Sequence, residues 1–199
     1  VAVRQRPQKQ DQAMQIETTS LPGVLLLTPR RHGDARGFFS ESWNRKTLED
    51  AGVHLPEFVQ DNHSKSAAAG TLRGLHYQSP PMAQGKLVRC GRGALYDVAV
   101  DARRGSPSYG QWFGAELSFD NGRQLWIPAG FLHGFVTRQP DTEVVYKCTA
   151  HYSAAHDGGV RWDTLGIDWG VAAPVLSDKD RSAPAFADWQ SPFTFGGRA

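Results

Sequence analysis

Short runs of alternating apolar and polar residues dominate the chain from Glu57 onward. They read EFVQDNHS, TLRGLHYQ, KLVRC, ALYDVAVDAR, QWFGAELSF, RQLWIP, FLHGFVTR and EVVYKCTAHY. Gly, Pro, Asp and Asn crowd the breaks between them. A repeat of two residues is the period of a β-strand with one buried face. Strands at this spacing, with no helical stretch between them, predict an all-β antiparallel sandwich or barrel with a few short helices. Asp120-Asn121-Gly122 is the strongest hairpin signal, because Asn-Gly readily takes the positive φ angles of a tight primed turn.

Upstream the pattern is sparser. Residues 1–19 are polar, Gln-rich and aperiodic, and are expected to form a mobile tail ahead of a single domain spanning 20–199. Val24-Leu25-Leu26-Leu27 is the first credible strand. Gly33-Asp34 is a turn signal, and Phe38-Phe39 is expected to bury aromatic surface. Asn44 to Ala51 predicts a short helix closed by Gly52. The segment from Gly158 to Ala199 carries Phe186, Trp189, Phe193 and Phe195. It is expected to wrap the barrel or pack on a partner subunit.

Composition narrows the function classes. The 199 residues can bury a sizeable core as one domain. A formal charge of +2 argues against nucleic acid as a partner, yet leaves room for local cations around a phosphate. Two cysteines, Cys90 and Cys148, are too few for a disulfide framework or a Cys-based zinc site, and favour free thiols in a reducing cytosol. No stretch approaches the ~20 apolar residues of a membrane span, and the N-terminal residues have no apolar core of secretory length. A soluble, cytoplasmic protein with no membrane partner is the expectation.

The densest chemistry lies in TLRGLHYQSPPMAQGKLVR, residues 71–89. Alternation puts His76 and Gln78 on one face of a strand, and Lys86, Val88 and Cys90 on one face of the next. A base and cations so close to a sheet interior fit a pocket for an anionic substrate. They fit equally a core histidine ringed by rim cations. In EVVYKCTAHY the same period groups Tyr146, Cys148, Ala150 and Tyr152 against Lys147 and Thr149. Arg73 and His76 have opposite parity. Both reach one pocket if Gly74 marks a bulge, or else Arg73 serves a neighbouring subunit.

Ile127-Pro128-Ala129-Gly130-Phe131-Leu132-His133 resembles the second motif of the cupin superfamily, which implies a jelly-roll barrel. The first cupin motif usually brings a His-x-His pair for a metal. Here it reads His76-Tyr77-Gln78, with Lys86 nearby to oppose a cation. The barrel is kept and a metal is not expected. FVQDNHSKS, LRGLHYQ, QGKLVR, YDVAVDARRGSPSYGQW, RQLWIPAGFLHGF, YKCTAHY and LSDKD, in that order, resemble the dTDP-4-dehydrorhamnose 3,5-epimerase family. That family is a metal-free, cofactor-free group of cupin-fold sugar-nucleotide epimerases.

The resemblance implies a dTDP-linked 4-keto-6-deoxy sugar as substrate, whose C4 ketone makes the hydrogens on C3 and C5 acidic. It implies His76 as base, Asp180 as its carboxylate partner, Lys86 at the enolate oxygen and Tyr146 as acid on the far face. Carried over as substrate contacts are Arg36, Glu41, Gln60, Asp61, Asn62, Arg73, Lys86, His133, Tyr152, Asp157 and Lys179. Asp157 stands where the family often has Glu. A homodimer with an exchanged N-terminal segment is also implied. Two other readings stay open on sequence alone. One is a mono-epimerase inverting C3 or C5, and the other is a non-catalytic sugar-nucleotide-binding cupin.

Overall fold

A computed structural model describes residues 13–197. Its strands are β1 (Met14–Thr18), β2 (Leu25–Pro29), β3 (His32–Asp34), β4 (Gly37–Phe39), β5 (Gln60–Ser66), β6 (Leu72–Gln78) and β7 (Lys86–Arg92). They continue with β8 (Ala94–Asp101), β9 (Trp112–Ser118), β10 (Gln124–Ile127), β11 (Phe131–Thr137), β12 (Thr142–Cys148) and β13 (Asp157–Gly159). Helices are short: α1 (Arg45–Asp50), α2 (Asp178–Ser182) and a 3-10 turn at Phe186–Asp188. A six-stranded sheet, β1-β2-β10-β7-β12-β5, faces a five-stranded sheet, β13-β6-β11-β8-β9, with antiparallel neighbours throughout. This is the expected β-sandwich of the cupin type.

Alternation explains the layers. Val88, Leu125 and Val144 of the first sheet meet Ala99, Leu117 and Phe135 of the second in the central core. The other face of the five-stranded sheet sends Leu132, Val98 and Val136 against Trp169, Ile167 and Phe193. The C-terminal segment therefore covers that sheet. Each such buried Leu or Phe is stabilised by ~1.5–3 kcal/mol relative to exposure. On the outside of the six-stranded sheet, Leu87, Leu27 and Trp126 pack on Leu48 of α1. Asn44 caps that helix, its side chain accepting from the Thr47 N–H at 3.3 Å.

Several expectations need correction. Residues 1–12 of the expected tail lie outside the described residues, but Met14–Thr18 is a strand, paired in register with Leu25–Pro29. Its Met14 is buried against the outer cluster. Phe38 and Phe39 do not bury their rings. They sit on the small β3–β4 arm with 45% and 71% of their surface exposed. Asp120-Asn121-Gly122 does turn the chain, with Asn121 Oδ1 accepting from the Ser118 and Arg123 N–H groups. Gly122 has φ +65. The flanking strands β9 and β10 nevertheless belong to different sheets, so the turn crosses the sandwich and closes no hairpin.

Candidate active site

The site is built around an irregularity in β6. His76 pairs with His133 of β11 and Arg73 pairs with Phe135, so Gly74 and Leu75 together face the single residue Gly134. This is a bulge on β6, and the extra residue cancels the parity mismatch between Arg73 and His76. Gly74 has φ +135, and a Cβ there would lie 2.5 Å from the Gly134 Cα, so a side chain is excluded. Arg73 and His76 consequently line one cavity of about 470 Å³, together with His133, Phe135, Tyr146 and Asp180.

His76 Nε2 lies 2.5 Å from Asp180 Oδ1. An anionic acceptor makes Nε2 the donor and leaves the ring's lone pair on Nδ1. Asp180 sits in α2, whose N-cap Ser177 accepts from the Asp180 N–H at 3.1 Å. Burial raises the Asp180 pKa. The hydrogen bond and charge of His76, the Ser177 side chain and the Gly74 N–H outweigh it and hold the carboxyl below its ordinary value. A permanent anion thus orients the imidazole across the gap between a strand and a helix far apart in sequence.

Tyr146 approaches the same cavity from the other sheet, on β12, opposite Val88 of β7 and Asn62 of β5. Burial raises its pKa first and the neighbouring Cys148 adds to this, against Arg73 and Asn62. The phenol is therefore protonated at neutral pH and can donate. Lys86 opens β7 beside Cys148. Burial lowers its pKa, while Cys148, Asp97 and Asp157 draw it back up and Lys179 opposes them. Among the described residues its ammonium has no hydrogen bond or ion pair. A partly buried cation without such a partner has its donors available for an incoming oxygen anion.

His133 Nε2 bonds Asp97 Oδ1 at 2.7 Å, and both residues are buried. Burial pushes the His133 pKa down, Asp97 pulls it up, and the neighbouring Lys86 and His76 lower it further. Asp97 is a residue the motif reading missed, and its second oxygen is buried with no partner. A carboxylate inside the otherwise apolar run Leu95–Val100 was the signal available.

The remaining expected contacts divide by strand face. Gln60 and Asn62 point toward the site, Gln60 donating to Asn62 Oδ1 at 2.9 Å and Asn62 donating to Cys148 Sγ at 3.4 Å. Asp61 does not join them. Alternation turns its side chain to the opposite face, into an ion pair with Lys147 at 3.0 Å. Tyr152, Asp157 and Lys179 do not line that cavity but form a partly exposed cluster in which the Tyr152 hydroxyl donates to Asp157 at 3.4 Å and Lys179 pairs with the same carboxylate. Arg36 and Glu41 are not among the described residues that line the His76 cavity. Arg36 pairs with Asp34 on the exposed arm, and Glu41 accepts from Thr47 Oγ1 at 3.2 Å.

This geometry has close counterparts. A sequence profile of dTDP-4-dehydrorhamnose 3,5-epimerase matches residues 18–188. The dTDP-4-dehydrorhamnose 3,5-epimerase of Sinorhizobium fredii is 52% identical over 189 residues, covering 92% of this chain and 94% of that protein. The crystal structure of the Bacillus anthracis enzyme with TDP and PPi bound is 53% identical and has a TM-score of 0.85. It covers 87% of this chain and 100% of its own. The dTDP-6-deoxy-D-glucose-3,5-epimerase of Legionella pneumophila, in complex with dTDP-4-keto-L-rhamnose, is 42% identical with a TM-score of 0.85, covering 91% and 97% of the two chains. With the profile spanning nearly the whole fold and relatives this similar, the chain belongs to the dTDP-4-dehydrorhamnose 3,5-epimerase family.

Proposed function

We propose that this chain epimerises a dTDP-linked 4-keto-6-deoxyhexose at both C3 and C5, with His76 as base and Tyr146 as acid. The observation that carries the reading is that these two side chains line one cavity from opposite sheets, His76 on β6 and Tyr146 on β12. A sugar ring held between them would meet a base on one face and a protonated phenol on the other, which is what inversion at carbon requires. Positioned proton transfer of this kind typically accelerates a reaction by ~10²–10⁴-fold.

The step begins with His76 Nδ1 removing the hydrogen from the carbon next to the C4 ketone. The electron pair moves into the C3–C4 or C4–C5 bond and on to the ketone oxygen, giving an enolate. Lys86 donates to that oxygen, and a preset donor at such a charge is worth ~3–4 kcal/mol. Tyr146 returns a proton to the opposite face and the ketone reforms. Asp180 keeps the imidazole in the donating tautomer and stabilises it once protonated. Arg73 and Lys179 provide cations for the diphosphate, Arg73 with the fork geometry that suits phosphate oxygens.

The chain works as a homodimer with an exchanged N-terminal segment in this reading. Arg36 and Glu41, carried near the exposed Phe38 and Phe39, then complete the site of the second copy. A cytoplasmic location suits the buried free thiols Cys90 and Cys148. No helix among the described residues is long and apolar enough to cross a membrane.

The test is incubation with dTDP-4-keto-6-deoxyglucose in deuterated buffer, followed by NMR. Deuterium at both C3 and C5 with inverted configuration is expected. Label at a single carbon would make it a mono-epimerase, and no label at either would sink the enzymatic reading.

A further inference from the structure

Gln78 occupies the place where a metal-binding cupin carries its second histidine, and it has taken a different task. Its side chain is buried, with 4% of its surface exposed, and uses both ends of its amide. Nε2 donates to the Met82 carbonyl at 2.7 Å and to the His151 carbonyl at 3.1 Å. Oε1 accepts from the Ser153 N–H at 2.7 Å. One side chain thus ties together the strand of the base, the turn that leads to Lys86, and the segment 149–156 that follows Tyr146.

Two further glutamines grip the same segment. Gln84 donates to the Ala150 carbonyl at 2.7 Å, and Gln60 accepts from the Tyr152 N–H at 2.8 Å. At its far end Ser153 Oγ meets His156 Nδ1 at 2.7 Å. The chain then enters β13, where Asp157 pairs across to Gln78. Backbone bonds hold the ends of the segment, Thr149 N–H donating to the Gly85 carbonyl at 3.0 Å and Ser79 N–H donating to the His156 carbonyl at 2.9 Å. Between them, over residues 150–153, side chains of the three glutamines reach its backbone groups, because the stretch is neither helix nor ladder. It carries Tyr152, 60% exposed, and delivers Asp157 to Lys179.

We propose that Gln78 is a positioning residue for substrate affinity: with Gln84 it clamps the 149–156 segment so that the Tyr152–Asp157–Lys179 cluster is already set beside the strand and helix that carry His76 and Asp180. The proposal rests on the epimerase reading for the identity of what binds there. It concerns the outer part of the substrate, away from C3 and C5. A contact made equally in the ground and transition states changes KM and leaves kcat in place, whereas loss of the base or acid lowers kcat. The clamp is thereby separable from the proton-transfer groups.

The experiment compares Gln78→Leu, which keeps the approximate volume and removes all of these hydrogen bonds, with Gln84→Met, which removes the Ala150 contact alone. Amide hydrogen exchange of the whole protein is measured without substrate, and steady-state kinetics with dTDP-4-keto-6-deoxyglucose. Gln78→Leu is expected to speed exchange across 149–156 by ~10-fold or more and to raise KM by ~10-fold with kcat within ~3-fold of the parent. Gln84→Met should move both in the same direction by less. It keeps the question open to measurement if the first variant folds poorly. Unchanged exchange in the segment, or a kcat loss at unchanged KM, overturns the proposal. A parent protein that never labels its substrate would instead sink the functional reading, while the exchange data would still judge the clamp.

Discussion

Asp97 and Asp101 share strand β8 and are both withdrawn from solvent, yet their surroundings treat them in opposite ways. Asp101 is saturated. It accepts from the Arg103 backbone at 3.0 Å, from Arg103 Nε and Nη2 at 2.8 Å each, and from the hydroxyls of Ser106 at 2.5 Å and Ser108 at 2.7 Å. Burial raises its pKa, but these bonds prevail and bring it down to about 2. Asp97 has one bond, from His133, and a buried oxygen with no partner. A buried carboxylate left short of donors is costly. It persists where its charge is needed by neighbours, here His133 and the unbonded Lys86. Asp101 fixes the loop after β8, whereas Asp97 acts on the charge of His133 and Lys86.

The sharpest way to break this contrast is at the site end. His76→Ala should lower turnover by ~10³-fold or more and abolish deuterium wash-in at C3 and C5. Tyr146→Phe should reduce inversion by ~10²-fold and spare more of the wash-in, because His76 can still remove a proton and return one on its own face. Equal loss of both would remove Tyr146 from the role of acid.

Asp97→Asn tests the carboxylate itself. Turnover should fall by ~10-fold to 10²-fold while stability in denaturant stays level or rises, since a buried and poorly satisfied charge is removed. A large stability loss would place Asp97 with Asp101 as an anchor. Asp101→Asn should do the reverse, costing ~2–3 kcal/mol of stability through loss of its charged bonds with turnover at saturating substrate unchanged.

Titration gives the smallest effect. A folded pKa of about 2 against an ordinary 3.8 means that folding favours the Asp101 anion. Its contribution of ~2 kcal/mol is complete above about pH 4 and is lost as the pH falls toward 2. Denaturation curves across that range should be flatter in Asp101→Asn than in the parent, and equal slopes would remove Asp101 as a source of acid sensitivity.

Much of the sandwich was legible because its strands alternate cleanly. Tyr146 and Cys148 were assigned to one face, and Lys147 to the other, by the period of two alone. The partnership of His76 with Asp180 was not legible in that way. It joins β6 to a helix at the far end of the chain, and only the motif order of a family linked them. Asn121-Gly122 misled because a turn signal carries no information about which sheet receives the next strand. Phe38 and Phe39 misled because aromatic residues on a two-stranded arm lack the second layer that would cover them. Asp97 escaped notice because its meaning lies in what surrounds it, and local pattern does not contain that.

Remove Gly74 from the chain and β6 would pair evenly with β11, since the single residue left between Arg73 and His76 would match Gly134 between Phe135 and His133. The guanidinium and the imidazole would still share one face of the strand. What would vanish is a loose peptide amide, the one that helps keep Asp180 anionic. The looped-out glycine is thus a spare backbone donor lent to a carboxylate on another element, and a chain shortened there should grip its ligand yet let the histidine drift.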